Sequence, residues 1–274
     1  MTEQEYMDRE PYVAGQFYPY EHEHWVAGVR EYMRGQTERT TFSRLVMVPH
    51  AGHVFSGKVA GTTLAQARLR ETVFLLGPNH TGLGAPLAVW PGGRWLLPGA
   101  SMQVDAELVQ AVLAAEPALR ADRTAHVQEH SLEVVLPFLW MKNPNLRIVP
   151  IAVGDPRPHI LAGAAAKIAE LMQSLQREFT LVVSSDMNHF ASDAQTREQD
   201  AKALDRITAL DPMGFYGTVR GAQISMCGVL PMTLGMHLAN ITGAKKGEVV
   251  AYATSGEVNG DMSRVVGYAG VIIE

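Results

Sequence analysis

The chain is short of cysteine, of long apolar runs, of net charge and of phosphate-binding glycine motifs, and each shortage removes a class of protein. Its 274 residues hold a single cysteine, Cys227. No intrachain disulfide can form, which fits a reducing cytosol. No apolar stretch approaches the ~20 residues that a helix needs to cross a bilayer. Residues 1–10 are polar and acidic, the reverse of a signal peptide, so a soluble cytoplasmic protein is expected. A net charge of -5 gives nucleic acid and anionic membranes little to hold. Neither G-x-G-x-x-G nor G-x-x-x-x-G-K-[ST] occurs, so no nucleotide cofactor is indicated. The 13 methionines are scattered along the chain, which suits core filling better than copper binding.

What is present is an alternation of strands and helices. Apolar, β-branched runs predict strands at 44–48, 72–76, 146–154, 180–184, 248–254 and 265–273. Helices are expected from about 22 to 34 and at 58–67, 105–115, 132–140, 158–176, 193–210 and 232–241. Trp90-Pro-Gly-Gly-Arg-Trp95 reads as a Gly-Gly hairpin between short strands. The near-continuous apolar form of 146–154 is that of a parallel strand covered on both faces. No Pro/Ser-rich linker interrupts the pattern. It predicts one α/β domain over 1–274 with a mostly parallel central sheet, residues 1–8 forming a flexible lead. His22 and His24 point apart on their helix and are expected to be solvated surface groups.

Three of these strands end in histidine. Leu45-Val-Met-Val-Pro-His50, Val73-Phe-Leu-Leu-Gly-Pro-Asn-His80 and Leu181-Val-Val-Ser-Ser-Asp-Met-Asn-His-Phe190 each pass from apolar residues to polar ones within a few positions. In an open parallel sheet the carboxyl ends of the strands share one edge, where ligands bind. His50, His80 and His189 are therefore expected to gather, and clustered neutral imidazoles suit a transition metal. Asp186 stands three residues before His189, where it can orient that ring as an acid–base pair requires, or simply close a turn. His130, between Glu129 and Glu133 at a helix start, is a candidate substrate contact or a structural histidine. His53 either lines the pocket with His50 or packs in its loop. Cys227 precedes a helix, whose N-terminus favours a thiolate. A metal ligand, a nucleophile and plain packing all remain open for it.

Taken together, six motifs in order resemble the Memo family, which includes AmmeMemoRadiSam system protein B. They are Arg9-Glu-Pro-x-Val-Ala-Gly-Gln-Phe-Tyr-Pro19, Pro49-His-Ala-Gly-x-Val-x-Ser-Gly57, Gly77-Pro-Asn-His80, Glu129-His-Ser-Leu-Glu133 with Leu136-Pro-Phe-Leu139, Ser184-Ser-Asp-Met-Asn-His189, and Cys227-Gly. The resemblance implies the three-layer α/β sandwich of the class III extradiol dioxygenases, which are non-haem iron enzymes. It also implies a metal site of His50, His80 and Cys227, with Asp186 and His189 in the same cleft and His130 contacting substrate. In the dioxygenases the third ligand is a carboxylate. A thiolate in its place is softer, shifting preference among iron, copper and zinc, and is itself oxidisable.

The expectation is therefore a mononuclear site holding iron, with copper and zinc as alternatives, and a redox or dioxygenase-type activity on a small substrate, aromatic diols being the class that the resemblance suggests. Two rivals stand beside it. Animal Memo proteins are signalling adaptors that engage phosphorylated peptides, so a non-catalytic binding module is implied as well; no arginine cluster near His50 or His80 supports it. The other is a metal-dependent hydrolase using Zn-bound water. The family name further implies radical-SAM system partner proteins.

Overall fold

The computed structural model describes residues 7–274. In chain order its elements are α1 (His22–Met33), β1 (Leu45–Val48), α2 (His53–Gln66), β2 (Thr72–Pro78), β3 (Leu87–Val89), β4 (Arg94–Leu97) and β5 (Ala100–Val104). Next come α3 (Ala106–Ala115), β6 (Arg120–Ala121), α4 (Thr124–Val127), a 3-10 turn (Glu133–Val135), α5 (Leu136–Lys142), β7 (Arg147–Val153) and α6 (Pro158–Ser174). The chain closes with β8 (Thr180–Ser184), β9 (His189–Ala191), α7 (Asp193–Thr208), α8 (Pro212–Gly221), α9 (Val229–Ile241), β10 (Gly247–Thr254), α10 (Gly256–Asn259) and β11 (Val265–Ile273).

The strands form a mixed sheet in the order β10-β11-β1-β8-β2-β7-β3-β6. Its centre, β1-β8-β2-β7, is parallel, while β11 and β3 flank it antiparallel. Every residue of β1, β2 and β8 is buried, as strands covered on both faces must be. Helices supply that cover in two groups, α1-α2-α5 and α3-α6-α9-α8-α7. This is the expected single α/β sandwich. Register decides the rest: Val48 stands beside Ser184, and Leu76 beside Val183. The segments leaving β1, β8 and β2 therefore emerge side by side at one edge.

Several expectations are corrected. Trp90–Trp95 is no hairpin: β3 pairs with β7 and β6, whereas β4 pairs with β5. The tight turn lies instead at Pro98-Gly99, where Gly99 has φ +74°, a conformation open to glycine. Helix α2 starts at His53, ahead of the expected 58, and α8 was not anticipated. His22 is half-buried; its Nδ1 lies 3.1 Å from the Pro98 carbonyl and its ring packs on Trp25 and Trp140. His53 belongs to the core. Its Nε2 bonds the Val134 carbonyl at 2.9 Å, and its ring packs on Phe138 and Tyr18. Most of the flexible lead expected at 1–8 lies outside the described residues, but Asp8 is tied to Arg94 by backbone and side-chain bonds.

The segment after Asp8 is pinned by one buried pair. Arg9 Nη1 donates to Glu133 Oε2 at 2.8 Å, with both side chains almost wholly buried. Glu133 also accepts from the Tyr12 and Val13 amides and the Tyr18 hydroxyl. Arg9 donates further to the His126 and Glu129 carbonyls.

Burial holds His53 and His126 neutral, lowering each to about 4. The unfolded chain takes up protons on both as pH falls below about 6.5, while the folded chain does so only near 4. Stability is thus lost as pH drops through that window, by about 2 kcal/mol per histidine at about pH 5. We expect urea midpoints to fall between neutral pH and about pH 5, and the fall to be shallower in His126→Gln. An equal fall in both proteins would show that His126 does not carry this dependence.

Candidate metal centre

His50 follows β1 through Pro49, whose missing N–H marks the end of strand pairing. His80 follows β2 through Pro78 and Asn79. Between them β8 ends in Ser184, Ser185 and Asp186. A fourth segment, 129–132, closes over β2 because Gly77 has no side chain; a Cβ there would sit 2.6 Å from Leu132 Cδ2 and 2.8 Å from Ser131 Oγ. The fifth piece is Cys227, held against β8 by Gly228, whose Cβ would fall 2.2 Å from Ser185 Cβ.

These segments bring three imidazoles together. His50, His80 and His130 offer nitrogen atoms that all lie within 4.8 Å of one another. The His80 and His130 rings stack at 4.8 Å, and His50 stands edge-on to both. The expected third member was His189. It lies instead in β9, with its Nδ1 2.8 Å from the Ser225 carbonyl.

Hydrogen bonds fix which ring nitrogens are available. Ser184 Oγ donates to the Ser131 carbonyl at 2.7 Å, so it accepts from His50 Nδ1 at 2.6 Å. Glu129 Oε1 accepts from His80 Nδ1 at 2.9 Å, and Glu129 Oε2 from the His80 amide. Both histidines are left with Nε2 as the lone-pair nitrogen, that of His50 facing Cys227 Sγ, the arrangement in which an outer carboxylate or hydroxyl orients a metal-binding imidazole. Burial, then the neighbouring His80 and His130, lower His50 well below the usual histidine range; burial lowers His130 as well. Both are neutral, the form that binds metal. Burial alone would raise Glu129, but its bonds to His80 and Ser131 win and bring it down to about 2. The donor set therefore fits a transition metal: neutral nitrogens converge, and their outer partners are already in place.

Asp186 does something other than orient His189. Its Oδ1 accepts from the amides of His50, at 2.8 Å, and Ala51. It locks the turn after β1, and burial pushes its carboxyl above the usual range. Cys227 Sγ lies 3.3 Å from His50 Nε2 and 3.3 Å from the Asp186 amide. Burial, with Asp186 adding to it, drives the thiol well above its ordinary value, and outweighs the N-terminal dipole of α9.

His189 is placed by a chain reaching into the neighbouring elements. Ser225 takes the His189 amide on its Oγ and donates that hydroxyl to Asn188 Oδ1. Asn188 in turn gives its amide to Asp200 Oδ1 at 2.8 Å. Burial raises Asp200 to about 6, although the Tyr252 hydroxyl bonds it at 2.6 Å. Next to His189, Phe190 has φ +65° and an exposed ring under the Arg264 guanidinium. A strained non-glycine backbone of this kind is often a mark of a functional edge. The sequence reading missed Ser131, Ser184, Ser225 and Asp200 as positioning groups. Only Ser184 and Ser225 carried a signal, since they sit inside the polar runs around Asp186 and Cys227. We expect Glu129→Gln to weaken divalent-metal binding about 10–100-fold, read by competition with a chelator. Unchanged affinity would separate Glu129 from the donor set.

Comparison with known proteins agrees with this architecture. The Memo-like protein family matches residues 9–272. A MEMO1 family protein of Methanopyrus kandleri is 37% identical over 279 residues, covering 97% of this chain and 99% of its own. One from Ignicoccus hospitalis is 38% identical, with 96% and 97% covered, and one from Aquifex aeolicus is 36% identical, with 96% and 98% covered. The crystal structure of an uncharacterized protein from Escherichia coli K12 shares the fold at TM-score 0.51 and 11% identity, over 83% of this chain and 98% of that one. With its sequence matched almost from end to end, the chain belongs to the Memo family.

Proposed function

We propose that this Memo-family chain is a mononuclear metal protein that carries out dioxygenase-type redox chemistry on a small aromatic diol. The observation that carries the reading is the paired state of His50 and His80. Each has its Nδ1 engaged by a protein acceptor, leaving Nε2 as the nitrogen with a lone pair to offer. His50, His80 and Cys227 would hold the ion, and iron suits that set in a fold of this kind, with copper next. Support for Cys227 comes from its contact with His50 Nε2 and from the Asp186 amide aimed at its sulfur. When bound, the metal would supply Lewis acidity and an electron path to oxygen.

The chain's own residues do the rest. His130 is neutral and packed against His80 and Phe17, so it can take a proton from a substrate hydroxyl. His189 with its Nδ1–H given to Ser225 keeps Nε2 free to hold or return a proton. Asp186 acts earlier, by fixing the backbone that carries His50. Proton transfer of this kind contributes about 10²–10⁴-fold in rate.

A second reading rests on His130. Its nitrogen belongs to the set within 4.8 Å, and a site of three histidines with an open position is a zinc hydrolase arrangement. Protein purified without oxygen or added metal distinguishes the two. We expect about one iron per chain, lost in His80→Ala and sharply reduced in Cys227→Ser, and oxygen uptake with catechols. Zinc retained in Cys227→Ser but lost in His130→Gln would establish the hydrolase site instead. No metal in any preparation would sink both readings and leave a binding module.

A further inference from the structure

A cavity of about 1090 Å3 opens at the edge of the sheet opposite the histidines. There β1, β2 and β8 begin and helices α6 and α9 end. From Arg44 to His50 the chain runs one strand's length, on the order of 20 Å, so this cavity is separate from the metal centre. Phe42, under the Arg68 and Arg70 guanidiniums, and Met172, Phe179 and Ile241 are its apolar lining. Its walls carry Arg44, Arg68, Arg70, Arg177 and Lys245 against only Glu178 and Glu274.

Most of that charge is matched, and what is left is informative. Arg70 pairs with Glu178 at 2.6 Å, Arg177 with Asp105 at 2.6 Å, and Glu274 with Arg39 at 3.5 Å. Arg44, Arg68 and Lys245 have no carboxylate partner among the described residues. Arg68 gives one N–H to the Thr40 carbonyl and lies over the Phe42 ring at 4.2 Å. The carboxyl ends of α6 and α9 attract cations, which accounts for some of the positive charge. They do not account for the cavity.

We propose that this groove binds a small phosphorylated organic anion. Unmatched Arg44, Arg68 and Lys245 suit a dianionic tetrahedral group, which guanidinium forks recognise in bidentate fashion. The apolar side chains beside them, Met172, Phe179 and Ile241, take the organic portion. The volume lies near the upper end of the range for small-molecule sites, about 1,000 Å3.

Calorimetric titration of the full chain with AMP and with inorganic phosphate tests the proposal. We expect AMP to saturate with a Kd below about 1 mM, phosphate to bind more weakly, and Arg44→Ala/Lys245→Ala to weaken AMP at least about tenfold. Both side chains are exposed, so the double variant should keep its fold, which circular dichroism checks. Absence of saturation, phosphate binding as tightly as AMP, or equal AMP affinity in wild type and the double variant would overturn it.

Discussion

The site depends on one buried carboxylate. Glu133 is wholly buried, and its two oxygens receive the Arg9 guanidinium, two backbone amides and the Tyr18 hydroxyl. A charge taken out of water in this way is tolerable only when its lone pairs are met by well-placed donors. The donors come from the start of the chain, 124 positions away from Glu133 in the case of Arg9. Arg9 then spends its remaining N–H groups on the carbonyls of His126 and Glu129. The segment presenting Glu129 and His130 is thus held from below by the N-terminal loop, and Phe17 of that loop packs on the His130 ring.

Above this anchor, charge is kept scarce. Burial keeps His50 and His130 neutral and Cys227 a thiol, and pushes Asp186 toward its protonated form. Glu129 is the exception, held ionised by His80 and by backbone amides. A cluster so arranged has lone pairs to offer and little charge of its own. A cation of the kind proposed would meet few positive neighbours, and, with Cys227 as its ligand, loss of the thiol proton would add negative charge.

Much of the fold could be read in the sequence because its central strands are buried on both faces. Continuous apolar runs at 72–76, 146–154 and 180–184 identify them without periodicity, and the switch to polar residues marks their carboxyl ends. Helix α8 was hidden because Pro212, three glycines and two aromatics blur its apolar face. The Trp90–Trp95 segment misled because Gly-Gly suits a tight turn, while strand partners are chosen by packing farther away. Within the site, His50 and His80 were legible from their place after strands. The meeting of His130 with them was not, since it arises from Gly77 and from Glu133 rather than from any local pattern. Nor could spacing foretell that Asp186 bonds the His50 amide: three residues of separation from His189 are compatible with several turns.

The register of the sheet has a consequence for how the protein comes to be. His50, His80, Glu129, His130, Ser184 and Cys227 lie on five separated stretches, and β8 enters between β1 and β2 only after most of the chain has passed. His50 and His80 follow strands that β8 joins, so their meeting waits on parallel pairing, a non-local event. A small zinc finger can be ordered by its ion, because the ligands are close in sequence. Here the order of events is reversed: the polypeptide must finish its β-sheet first, and any ion arrives at a completed cradle. Refolding rate should therefore be indifferent to the presence of metal, while resistance to unfolding, once an ion has settled, should rise with its concentration.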